Sequence, residues 1–97
     1  MAEQKNGNGN DSRGSKMKSV VLVIASWCPV CPQAEKLWDE LSKEYEFDYQ
    51  EIDIASADGE ELVSRHSIMS VPTTIIDDKV AFVGVPDEKK AIKAITS

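Results

Sequence analysis

The sequence predicts an α/β domain: a four-stranded mixed sheet flanked by three helices, in the order β-α-β-α-β-β-α. Three observations carry that prediction. A continuous apolar run, Ser19–Ala25, is followed almost at once by a stretch with a helical apolar stripe. Two short β-branched runs late in the chain flank a polar turn. Helical and extended patterns alternate before that hairpin, so the first two strands run parallel through a right-handed crossover.

The elements follow in order. Ser19–Ala25 (SVVLVIA) reads as a central strand covered on both faces. Helix one spans roughly Pro29 to Glu44, with Ala34, Leu37, Trp38, Leu41 and Tyr45 on one stripe. Pro29 suits its first position, where a missing N–H costs nothing, and Pro32 stands at the edge of the first turn. Phe47–Ile54 is a second strand whose apolar phase slips between Tyr49 and Ile52, through a bulge or through burial on both faces. Asp58 and Glu61 form a capping box opening a short helix to about Arg65. Thr73–Ile76 and Val80–Val83 flank the turn Asp77-Asp78-Lys79, and Asp87 caps a last helix with Ala91, Ile92 and Ile95 inward.

Ninety-seven residues allow one domain. Residues 1–17 include Asn6-Gly7-Asn8-Gly9-Asn10, with no aromatic residue and no apolar period. They are read as a disordered tail, leaving 18–97 as the folded domain. The net charge is −6, and the tail's three cations against two carboxylates leave −7 for the domain. A negative body without a basic stripe disfavours nucleic acid. No apolar run is long enough to span a membrane, and the opening residues lack the apolar core of a signal peptide, so the expected location is the cytoplasm.

The chemistry concentrates in Trp27-Cys28-Pro29-Val30-Cys31, which holds both cysteines of the chain at a strand-to-helix junction. A C-x-x-C placed there brings two sulfurs close enough for a reversible disulfide. As a staple it is weak, because closing so short a loop contributes only about 2 kcal/mol. A zinc site needs four ligands, and Cys28, Cys31 and His66 fall short, so no metal is expected within one chain. A metal or cluster shared between two chains through the cysteines stays open. The helix N-terminus favours a thiolate at Cys28. Cys28 then attacks a substrate disulfide, and Cys31 attacks the mixed disulfide to release reduced substrate.

Motif, proline segment and element order together resemble the thioredoxin/glutaredoxin superfamily, over about residues 18–97, in the compact form of archaeal thioredoxins. Trp27-Cys28-x-x-Cys31 is similar to the thioredoxin active site. Ser70-Val71-Pro72-Thr73 resembles the segment whose cis proline faces the dithiol, and Val83-Gly84 also fits. The resemblance implies catalytic roles for Cys28 and Cys31 and substrate contacts at Trp27, Pro29, Val30, Val71 and Pro72. Trp27 would be an exposed platform, and Val71 a backbone partner for an extended peptide. It implies no cofactor beyond the redox-active disulfide, protein disulfides as substrates, a nicotinamide- or ferredoxin-linked thioredoxin reductase as partner, and a monomer.

The chain also departs from the family. Leu22 stands where thioredoxins carry a buried Asp that helps proton transfer at the second cysteine. The dipeptide Pro29-Val30 matches neither thioredoxin's Gly-Pro nor glutaredoxin's Pro-Tyr. A basic residue before the motif and a Gly-Gly-x-Asp after the hairpin, which bind glutathione in glutaredoxins, are absent: the segments read Val23-Ile24-Ala25-Ser26 and Gly84-Val85-Pro86-Asp87. A glutathione-dependent thiol transferase is therefore the alternative enzyme, and a thiol-based binding module the alternative outside catalysis. His66 is read as a helix-end residue, Met69 as packing or rim, and Asp77-Asp78 as turn chemistry.

Overall fold

The computed structural model describes residues 17–96; residues 1–16, which make up all of the predicted tail except Met17, and Ser97 lie outside the described residues. The order is β1 (Lys18–Ile24), α1 (Cys31–Glu44), β2 (Phe47–Asp53), α2 (Ala57–His66), β3 (Thr73–Ile76), β4 (Lys79–Val83) and α3 (Glu88–Thr96). The sheet runs β2-β1-β3-β4, with β1 and β2 parallel and the other pairs antiparallel. This is the mixed sheet with three helices that the patterning predicts.

The β-branched run of β1 supplies both faces of the sheet. Val20 and Leu22 pack with Ala34, Trp38 and Leu41 of α1 and with Ala91 and Ile95 of α3. Val23 turns to the other side, against Leu62 of α2, Ile68 and Ile75. Alternating side chains on a strand make this division unavoidable. Trp38 anchors the larger core: it meets Phe47 edge-on at 5.8 Å and donates its indole N–H to the Thr74 hydroxyl at 3.1 Å, satisfying a buried polar pair.

The slipped phase of β2 is burial on both faces. Its register with β1 is continuous from Lys18↔Phe47 to Ile24↔Asp53, so no bulge intervenes. Phe47 and Tyr49 serve the α1 side, whereas Ile52 and Ile54 serve the α2 side. The bulge lies instead between β3 and β4, where Thr74 pairs with Phe82 and Ile75 with Val80, leaving Ala81 extra.

Several boundaries differ from the sequence reading, each for a local reason. Helix α1 begins at Cys31 rather than Pro29, with Val30 at the cap. Pro32, not Pro29, therefore occupies the first turn, where its missing N–H removes no helical bond. Helix α2 is capped by Ser56 rather than Asp58. The Ser56 hydroxyl accepts the Gly59 N–H at 3.0 Å and donates to the Asp53 carbonyl at 2.7 Å, tying the end of β2 to the start of α2. Gly59 rests directly on that strand end: a Cβ there would overlap the Asp53 carbonyl oxygen and come within 2.8 Å of the Ile54 Cα. The hairpin turn has two residues, not three. Asp77 and Asp78 both take positive φ, 51° and 67°, as such a turn requires, and Lys79 joins β4. Asp87 caps α3 as expected, accepting the Lys90 N–H at 3.1 Å.

Candidate active site

The dithiol sits beyond the C-terminal end of β1: Cys28 lies in the six residues that separate β1 from α1, and Cys31 opens α1. The Cys28 N–H donates to the Ala25 carbonyl at 3.1 Å, a turn that folds the sulfur back toward the helix start. Both cysteines are reduced and buried, Cys28 7 % and Cys31 2 % exposed, in a small apolar cluster with Ala25. Ile24, Ile54 and Val71 pack around it. Of these, Ile24 also touches the α1-side core, and Ile54 and Val71 the α2-side core, so the site lies where the two cores meet.

The two sulfurs have different surroundings. The Cys28 Sγ accepts the Cys31 N–H at 3.1 Å, the first free donor of α1. Val30 offers no side-chain cap, so the sulfur takes that part. An anion there meets the positive end of the helix. As a thiol, Cys28 is 3.8 Å from the Val71 carbonyl oxygen and donates toward it. Cys31 is the first residue of the helix and faces inward. Burial above all, then the neighbouring Cys28 thiol, pushes its own thiol up to about 11, with the Glu35 charge adding to the rise and a backbone hydrogen bond at Ala25 opposing it.

The sequence-derived site residues surround this pair on two segments. Trp27 is 72 % exposed beside Cys28, and Pro29 and Val30 are exposed on the same turn. From the other side comes the loop before β3. Its Val71–Pro72 peptide bond is cis, Val71 is half-buried and Pro72 is buried. The Pro72 carbonyl accepts the Gly84 N–H at 2.7 Å, pinning this loop to the end of β4. Gly84 has φ of +91°, a conformation that favours glycine.

Two readings gain detail. Met69 takes the rim rather than the packing position: it is 93 % exposed, and with Val83 it edges a shallow cleft of about 120 Å³ beside the proline loop. His66 ends α2 as expected, but its Nε2 lies 3.3 Å from Asp78 Oδ1, which also accepts from Arg65 at 3.0 Å. That clasp ties α2 to the hairpin turn. A separate cleft of about 320 Å³ involves Val21, Ile52, Leu62, Arg65 and Asp78, toward the opposite end of β1, and no dithiol residue lines it.

Sequence reasoning passed over Ala25, Ile54 and Glu35. Ala25 and Ile54 read only as strand ends. Glu35 had a usable signal, since it follows Cys31 by four residues and so falls on the same side of the helix. Among the described residues no group of three metal-ligating side chains occurs, and no helix is long and apolar enough to cross a membrane.

Comparison with known proteins places these features in a family. The family described as thioredoxin domain matches residues 19–96. A probable thioredoxin of Methanothermobacter thermautotrophicus is 37 % identical over 79 residues, covering 79 % of this chain and 91 % of its own length. A thioredoxin of Methanocaldococcus jannaschii is 30 % identical over 82 residues, covering 84 % and 94 %. Among solved structures, Fasciola hepatica thioredoxin aligns with a TM-score of 0.67 at 28 % identity, covering 82 % of this chain and 79 % of that one.

Proposed function

The chain belongs to the thioredoxin family and is a thiol–disulfide oxidoreductase, and from that premise we propose that Cys28 is its attacking thiol and Cys31 its resolving thiol. Family membership brings with it protein disulfides as substrates and a reductase as partner.

The observation that carries the assignment is the Cys31 N–H donated to the Cys28 sulfur. A thiolate at Cys28 gains that bond and the helix end together, whereas Cys31 is held protonated by burial. Cys28 attacks one sulfur of the substrate disulfide; that S–S bond breaks, a Cys28–substrate bond forms, and the leaving sulfur takes up a proton. Cys31 then attacks Cys28 Sγ, forming the Cys28–Cys31 disulfide and expelling the second substrate sulfur. The reductase returns two electrons to the oxidised pair. The couple is the chain's own dithiol, with no other cofactor.

Substrate would lie across Trp27, Pro29 and Val30 on one side and Val71 and Pro72 on the other. Trp27 offers a flat apolar surface, and the Val71 backbone offers edge pairing to an extended peptide. We place the protein in the cytoplasm as a monomer served by a nicotinamide- or ferredoxin-linked reductase, with residues 18–97 as its catalytic domain.

Trapping tests the order of attack. Cys31→Ser incubated with a disulfide-bonded protein accumulates a mixed disulfide, which intact-mass measurement locates at Cys28. Cys28→Ser accumulates none. Capture through Cys31 instead would reverse the two roles.

A further inference from the structure

Release of the second substrate sulfur requires Cys31 to lose its proton inside an apolar cluster. In the reduced pair its thiol is held up to about 11 with burial as the largest cause, and burial persists when Cys28 is joined to substrate, so little of it is ionised at pH 7. Turnover therefore calls for a group that accepts the proton as the sulfur attacks. Leu22 supplies none: it is fully buried in the apolar core facing α1.

The neighbouring strand offers what β1 lacks. Leu22 pairs with Glu51 in the β1–β2 register, and directly paired residues of a parallel sheet point to the same side. Phe47 and Tyr49, four and two residues before Glu51, pack on the α1 side, so Glu51 faces α1 too. The Tyr49 hydroxyl donates to Glu51 Oε2 at 2.8 Å, which fixes that carboxylate in place. Across from it on α1 is Glu35, half-buried and four residues beyond Cys31, a spacing that sets side chains one above the other.

Resting on the assignment of Cys28 and Cys31 above, we infer that Glu35, set against Glu51 of β2, takes the proton from Cys31 as that thiol attacks the mixed disulfide on Cys28. The Cys31 S–H bond breaks, its electron pair forms the Cys31–Cys28 bond, the substrate sulfur leaves with the old bonding pair, and Glu35 holds the proton until the leaving thiolate or water takes it. The electrostatics agree. Burial first, then the Glu51 charge, raises the Glu35 carboxyl from its ordinary range, which makes it a better acceptor near neutrality. Glu35 is also the carboxylate whose charge is felt at Cys31. The other titratable groups of this corner are Tyr49, driven well above the usual phenol range by burial and Glu51, and Asp39 one turn further along α1. Asp53 at the end of β2 is engaged by the Ala55 N–H at 2.7 Å.

Rapid mixing of the reduced protein with an aromatic disulfide, bis(3-carboxy-4-nitrophenyl) disulfide, separates the steps. Attack by Cys28 releases one coloured thiolate, and attack by Cys31 releases a second. Wild type giving two phases, Cys31→Ser keeping the first at the wild-type rate and Cys28→Ser losing it establishes the order of attack by itself. Against that background, Glu35→Gln keeps the first phase and slows the second by about 100-fold or more at pH 7. The deficit shrinks as pH rises toward the range in which Cys31 ionises unaided. Glu51→Gln keeps the second phase but moves its acid limb to lower pH, because Glu35 loses the neighbour that holds its proton. A second phase in Glu35→Gln equal to wild type, or slowed by one factor at every pH, overturns the proposal. An unmoved acid limb in Glu51→Gln overturns the pairing of the two carboxylates.

Discussion

The two faces of the sheet are built to different depths. On one side two helices, α1 and α3, close over Val20, Leu22, Trp38, Leu41 and Phe47, and even the polar pair Trp38–Thr74 is fully enclosed. On the other a single short helix and the loop that follows it cover Val23 and Ile75 through Leu62 and Ile68. The dithiol stands between them. Cys31 rides on the helix of the deep face, whereas the Val71 carbonyl that faces Cys28 belongs to a loop packed on the shallow one. On the roles proposed above, the resolving thiol rides on the deeply packed helix and the substrate edge on the more thinly covered loop.

The sharpest way to break this picture is a charge in the deep face. Leu22→Asp places a carboxylate at a fully buried position among apolar side chains. It is expected to cost about 3–5 kcal/mol in urea denaturation, the range for an uncompensated buried charge. Wild-type stability would mean that the deep face is not closed at Leu22.

Cavities test the division of labour with smaller effects. Leu41→Ala, in the deep core, is expected to cost about 3 kcal/mol yet leave kcat/KM for protein disulfides nearly unchanged. Leu62→Ala, on the shallow side, is expected to cost about 2 kcal/mol and to lower kcat/KM more, because Ile54 and Val71 lean on its cluster. Equal kinetic losses in the two variants would remove the distinction between the faces.

The pH dependence follows from Cys31. Its thiol is raised from 9.0 to about 11 by folding, so between these values the folded state binds more protons than the unfolded one. Stability of the reduced protein is full below pH 9 and falls as pH climbs toward 11, by at most about 1.4 kcal/mol per unit. Thermal unfolding of Cys31→Ala over the same range is expected to lack this slope. The smallest expected effect concerns residues 1–16: the dithiol chemistry lies wholly beyond them, so their removal leaves melting temperature and disulfide-reduction rate unchanged.

Much of this was legible in the chain. The run Ser19–Ala25 announced a doubly covered strand because every residue in its middle is apolar, and the two cores meet on it. Cys28 and Cys31 declared their chemistry by spacing and junction, and the turn at Asp77 by its residue types. The α2 cap was misread because Asp58 with Glu61 mimics a capping box, while Ser56 wins by also bonding the strand end. The α1 start was misread because two prolines compete for one first turn, and the bond from Cys31 N–H to a sulfur is not a pattern that capping rules contain. Glu35 was passed over although its spacing from Cys31 was there to read, because the nearness of Glu51 depends on how α1 lies on the sheet.

Gly59 carries a consequence for how this chain can drift over generations. The atoms that a side chain would strike are main-chain atoms of Asp53 and Ile54, which have no rotamer to yield. Any replacement must lift α2 off the end of β2, and with it the Ser56 bonds that join them. Among descendants of this sequence the position is therefore expected to stay glycine as steadily as the cysteines do, although it touches neither sulfur nor substrate. Invariance there records a point where two stretches of backbone touch, and a survey that ranks residues by constancy alone would count it, wrongly, as part of the catalytic site.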